Sequence, residues 1–372
     1  MKKFLVLLLS LMMVFSMTSC GKKESNKDYR VAMISDNVEI YDGSFNQSIY
    51  EAMEGFCKSN NVEYKAYKKE GDSTSKKVKT IEKAINENNN IIILPGSDFV
   101  EALKETAEQY EDVKFISIDV STPDLGDYRI GDNVYCASYQ EEIAGFMAGY
   151  AAVKSGYKSL GFLGGYEYPA IKRYGYGFVQ GAENAATELK LNDVNVNFAY
   201  VNQFNADEHI TSYMNKWYKD GTEIIFSCGG QIYTSVAEAA INNGGKLIGV
   251  DVDQSYIIDG AGTDTTFTSA MKSLGLTVET VLDGLINADD WSLFGGKCVT
   301  LGLVSADNPE ENFVQLPMET TKWNDNFTQD NYKELVGKLF NKEITVSSYL
   351  DNIPKVKQIK VNYLGNINTQ QK

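Results

Sequence analysis

The sequence predicts an α/β protein of two lobes, each a mostly parallel sheet flanked by helices. Three observations carry this. Short apolar runs rich in Val, Ile and Phe alternate with helical patterns for most of the chain, as parallel strands joined by helical crossovers require. The runs are continuously apolar, which fits strands buried on both faces. From Tyr29 to Lys372 the chain is long enough for two domains of ordinary size.

Lys2 and Lys3 precede an apolar run from Phe4 to Met17 that gives way to Thr18, Ser19 and Cys20. A bilayer crossing takes roughly 20 apolar residues, so this shorter run reads as a secretory signal over 1–19. Small residues just before a cysteine resemble the lipobox of bacterial lipoproteins. Cys20 is therefore expected to carry lipid and to hold the chain on the extracytoplasmic side of the cell membrane, since two acyl chains anchor stably where one does not. Residues 20–28 contain no apolar run and read as a solvated tether.

Strands are expected at 30–35, 91–95, 114–119, 159–165, 197–201, 223–230 and 246–253. Helices are expected near 44–60, 74–89, 98–110, 139–154, 170–189, 207–219 and 231–243. A turn-rich stretch between Val120 and Tyr139 marks the first passage between lobes, and the segment 259–264 marks the second. Lobe 1 is then expected at 29–133 plus about 265–296, and lobe 2 at 134–264 plus about 297–323. Residues 324–372 form an extension that packs on the lobes and is given no part in the chemistry.

The formal net charge of -15 disfavours nucleic acid, because phosphate contacts need a basic face. Cys57, Cys136, Cys228 and Cys298 lie far apart without a CxxC and look like lone buried thiols. His209 is the only histidine, which excludes a His-rich metal centre, and no GxSxG or P-loop accompanies it. Neither a cofactor nor catalysis is expected.

Ligands of open α/β sheets bind beyond the carboxyl ends of the strands. The residues there are Asp36, Pro95 with Gly96, Asp119, Gly164 with Gly165, the loop around Phe204, Gly229 with Gly230, and Asp251 with Asp253. Acids, glycines and an aromatic converging between two lobes suit one neutral or cationic polar ligand, and several carboxylates would repel a phosphate. Each residue also has a plainer reading. The aspartates fit N-caps or Asx turns, and the glycine pairs fit tight turns. Phe45 falls on the stripe of Ile49, Ala52, Met53 and Phe56, so periodicity also allows it a core place. Lys272 and Arg173 also fit solvated surface charges.

The ordered motifs DGSFNQ, FISID, GFLGG, GFVQGAE, FSCGG, GVDVDQ and SAMK resemble the basic membrane protein family of substrate-binding lipoproteins, which includes bacterial purine-nucleoside receptors. The chain departs from that family's usual glycine pair in reading DNVEIYDG. The resemblance implies a type I periplasmic-binding-protein fold and a monomer that delivers a nucleoside to an ABC permease. It also implies residue roles. Asp36 and Asp119 would grip the base, Phe45 and Phe204 would sandwich it with Asn46 nearby, and Gly230, Asp251 and Lys272 would meet the ribose. A binding protein for sugar or another small polar metabolite, a nucleoside hydrolase, and a tethered sensor or adhesin are the competing expectations.

Overall fold

The computed structural model describes residues 29–35, 40–260 and 262–369. Cys20 and Asp36, both singled out above, lie outside them.

In chain order the first elements are β1 (Arg30–Ser35), α1 (Phe45–Asn60), β2 (Glu63–Lys68), α2 (Thr74–Asn86), β3 (Ile91–Pro95), α3 (Val100–Gln109), β4 (Lys114–Ile118) and β5 (Val134–Tyr139). There follow α4 (Glu141–Lys154), β6 (Ser159–Gly164), α5 (Pro169–Leu189), β7 (Asn195–Tyr200), α6 (Glu208–Lys219), β8 (Ile224–Cys228), α7 (Ile232–Asn243), β9 (Lys246–Asp251) and β10 (Thr266–Lys272). The chain closes with α8 (Leu274–Leu282), β11 (Lys297–Leu301), β12 (Val314–Gln315), α9 (Gln329–Phe340) and β13 (Lys360–Asn366).

The strands form two sheets, ordered β11-β5-β4-β3-β1-β2 and β12-β10-β9-β8-β6-β7-β13. Every pairing is parallel except β10 with β12. Central strands such as β3 and β8 are buried throughout, which is why their sequences are unbroken runs of Ile, Leu, Phe and small residues.

The sheets divide the chain differently from the bounds expected above. β5 is fully buried in the first sheet beside β4, although its Gly131-Asp132-Asn133 approach makes the segment look like a linker. β10 belongs to the second sheet, and β11 returns to the first. The chain therefore passes between lobes at Gln140, at Ser273 and between β11 and β12. These passages are tied to one another. Gln140 N donates to the Leu301 carbonyl at 2.8 Å, Ser273 N to Phe313 at 2.9 Å and Phe313 N to Gly302 at 3.0 Å, which makes a three-stranded hinge.

Cys136 and Cys298 are less solitary than their spacing suggests. They are free thiols, yet they sit in register on β5 and β11. The C-terminal segment joins the second lobe through β13, which pairs with β7 in parallel.

The closest helix packing lies in that lobe. A Cβ on Gly145 or Gly149 of α4 would come within 2.1 Å of a backbone carbonyl oxygen of α5. One on Gly177 or Gly181 of α5 would come as close to α4. Four glycines thus let two backbones touch. This presses the start of α4, and the acids there, against the interlobe cleft.

Candidate functional site

The space between the lobes encloses about 80 Å³, and about 710 Å³ when its open mouth is counted. Phe45, Asn46, Asp119, Phe204, Gly230, Asp251 and Lys272 all line it. Every residue given a ligand-binding role that the structure describes is thus gathered, whereas Gly164, Gly165 and Asp253 of the strand-end roster stand outside the lining, Asp253 accepting from Ser255 and Thr320 instead.

From lobe 1 comes the turn into α1. Asp42 is buried and accepts from Ser44 N at 2.9 Å, Asn46 N at 3.0 Å, Gln47 N at 3.1 Å and Asn46 Nδ2 at 3.0 Å. It thereby caps the helix, in place of the Ser44 side chain, which does not. Burial outweighs these bonds and raises the Asp42 pKa. Because a carboxylate only accepts, the Asn46 atom facing Asp42 is the amide nitrogen, and the carbonyl Oδ1 is left buried without a described partner. Phe45 is half-buried at the first position of α1.

From lobe 2 comes the opposite wall. A Cβ at Gly165 would lie 2.6 Å from the Phe204 ring, and one at Gly230 would lie 2.8 Å from Phe204 Cβ. Gly165, Gly229 and Gly230 therefore form the bed of this ring, while Gly164 packs against Tyr200. Tyr166 and Tyr168 pack edge-on against it, with centroids at 4.9 Å and 6.0 Å.

The floor is ionic. Lys272 Nζ donates to Asp119 Oδ2 at 2.5 Å and lies 3.5 Å from Asp251 Oδ1 and 3.6 Å from Glu141 Oε1. Glu141 Oε2 also accepts from Arg173 Nε at 2.5 Å. Lys272 Nζ further sits 4.9 Å from the Phe45 ring centroid. Both cations, read above as possible surface charges, are thus buried beside acids.

Burial alone would lower the Lys272 pKa, but Asp119, Asp251 and Glu141 together hold it well above its usual range, so it stays an ammonium. Asp119 is pushed up to about 7, because burial, helped by Glu141 and Asp251, outweighs the ammonium. Its Oδ1 and the Tyr174 hydroxyl are buried with no described partner.

Asp119 and Asp251 share one backbone peculiarity. Their φ angles are 60° and 67°, in the left-handed region that aspartate tolerates at some cost. Each turns the chain sharply at a strand's carboxyl end and leaves its carboxylate at the cavity. Ser44 Oγ donates to Asp251 Oδ2 at 3.0 Å, and Gln254 Nε2 donates to the Gly43 carbonyl at 3.0 Å. These bonds join the two walls.

Asp42, Asp98, Tyr168 and Tyr174 also line the cavity, and Glu141 joins the floor; sequence reasoning missed all five. Only Asp42 left a signal, an aspartate two residues before a helix start, as in an Asx turn.

Two parallel-sheet lobes, a three-stranded hinge and a cleft at the strands' carboxyl ends define the type I periplasmic-binding-protein fold. A solved ABC transporter solute-binding protein from Aeropyrum pernix K1 superposes with a TM-score of 0.65 at 20% identity, covering 85% of this chain and 87% of that one. The chain belongs to the family described as ABC transporter substrate-binding protein PnrA-like, whose model matches residues 29–349. Among its relatives, Basic membrane protein A1 of Borrelia garinii subsp. bavariensis is 29% identical, over 93% of this chain and 96% of that protein. The ABC transporter nucleoside-binding protein BmpA of Lactococcus lactis subsp. cremoris is 26% identical, over 74% of this chain and 79% of its own length.

Proposed function

We propose that this substrate-binding protein takes a nucleoside, with a purine favoured, into the interlobe cleft, and that it delivers the nucleoside to an ABC permease from a lipid anchor on Cys20. The observation that carries the reading is the pairing of half-buried rings from opposite lobes, Phe45 and Phe204, with buried acceptors that lack partners, Asn46 Oδ1 and Asp119 Oδ1. A flat heterocycle fills the first feature, and its N–H edge satisfies the second.

Stacking a base on an aromatic ring is worth about 1–3 kcal/mol and tolerates different bases, so selection falls to the edges. Hydrogen bonds to charged groups add about 1.5–3 kcal/mol each. Asp119 serves both needs in this scheme. Oδ2 holds Lys272 and Oδ1 takes a base N–H. Gly230, Asp251 and Lys272 lie together on lobe 2 and suit ribose hydroxyls. The nucleoside-binding name of the Lactococcus relative points the same way.

Calorimetry with purine and pyrimidine nucleosides, free pentoses and hexoses tests the proposal. Nucleosides are expected to bind, and Phe45→Ala and Phe204→Ala are each expected to weaken them by about tenfold to a hundredfold, as the stacking energy implies. Binding of sugars alone, or unchanged nucleoside affinity in both variants, overturns it.

A further inference from the structure

Lobe 1 holds a second buried charge cluster at the cavity wall. Lys69 and Lys77 have side chains only 3% and 5% exposed, in a chain of strong negative charge. Their ammoniums lie 2.9 Å and 2.6 Å from the same atom, Asp98 Oδ2, and Lys77 Nζ also donates to the Asp98 carbonyl at 2.8 Å. Lys69 reaches Asp72 as well, at 3.1 Å. Burying two lysines is costly, and both are held here against carboxylates.

Asp98 itself lines the ligand cavity. It follows Gly96 and Ser97, and a Cβ on Gly96 would lie 4.0 Å from the edge of the Phe45 ring. With Oδ2 committed to the two lysines, Oδ1 is the carboxylate oxygen left to accept from a ligand in the cavity that Asp98 lines. Burial alone would raise the Asp98 pKa, but the Lys77 and Lys69 ammoniums hold it below its usual range. The acceptor is therefore ionised and fixed in place before any ligand arrives.

We infer that Asp98, clamped by Lys69 and Lys77, is a specificity-determining residue that selects a nucleoside whose base carries an exocyclic amino group. The inference rests on the nucleoside reading above. A site built to accept from an N–H discriminates against a ligand lacking it, because the buried acceptor is then left unpaired. In Asp98→Asn the two ammoniums keep the amide oxygen, which turns the NH₂ into the cavity. An acceptor becomes a donor, and the amino group of the ligand meets another donor.

The test is calorimetry of the purified protein with guanosine, adenosine and inosine, since inosine lacks the amino group that each of the others carries. The wild type is expected to bind at least one amino-bearing nucleoside about tenfold tighter than inosine. Asp98→Asn is expected to remove that preference by weakening the amino-bearing nucleosides, with a thermal melt to verify folding. Lys77→Met, which loosens Asp98 without removing it, is expected to narrow the preference and carries the test if Asp98→Asn does not fold. Identical ligand ratios in the wild type and the folded variants overturn the role of Asp98 and leave the nucleoside reading standing. A wild type that binds no nucleoside overturns both.

Discussion

Lys272 is the residue on which the site's charge balance turns. It is almost fully buried among Asp119, Asp251 and Glu141, and Arg173 neutralises only the far side of Glu141. Removing one partner of a buried ion pair leaves the other charge uncompensated, which costs about 3–5 kcal/mol. Lys272→Met is therefore expected to lower the unfolding free energy of the ligand-free protein by about that amount at pH 8, read from the urea midpoint. The loss is expected to shrink at pH 5, where a proton on Asp119 relieves the unpaired charge. Equal losses at both pH values would show that the cluster is not governed by that carboxylate. From the sequence, Asp119 is legible as a residue at a strand end, and Lys272 only through the motif SAMK. Glu141 is not, since its place beside Lys272 depends on how α4 meets the hinge.

The α4–α5 pair sets geometry at the scale of elements. Gly145 and Gly149 on one helix face Gly177 and Gly181 on the other, with added Cβ atoms within about 2 Å of backbone, so no side-chain shift can make room. Gly149→Ala is expected to push the helices apart and to destabilise by about 1–3 kcal/mol or more, measured by chemical denaturation. A neutral result would mean that the helices separate freely. The strands that escaped the sequence reading share a physical cause. β2 alternates exposed and mostly half-buried positions at a sheet edge, and β11 is only partly covered, so neither shows the apolar run that marks β3 or β8. β10 is buried but carries Thr266, Thr268 and Ser269, whose polarity hides it.

Over the whole molecule, buried acids make stability depend on pH. Asp119 and Glu142 both rise to about 7, chiefly through burial, with Glu141 raising each further. In the unfolded chain they titrate near 3.8 and 4.5. Between those values and about 7 the native state binds more protons than the unfolded state, so stability falls as pH rises. The ligand-free protein is expected to melt at a lower temperature at pH 8 than at pH 5.5 by scanning calorimetry. Glu142→Gln should flatten part of that slope, and a melting temperature that rises with pH over this interval would refute the assignment. A ligand donating to Asp119 favours its ionised form and should also reduce the slope.

By itself the sequence determined the parallel α/β architecture and the roster of strand-end residues, because apolar periodicity and strand termination are written in neighbouring positions. It also carried the family, through motifs that keep their order along the chain. Which strand ends share a cavity was decided only by the tertiary structure, and so were the capping role of Asp42, the ion cluster around Lys272 and the clamp of Lys69 and Lys77 on Asp98. Those features join groups from separate elements and often from opposite lobes, and a buried charge takes its meaning from partners that no local pattern records.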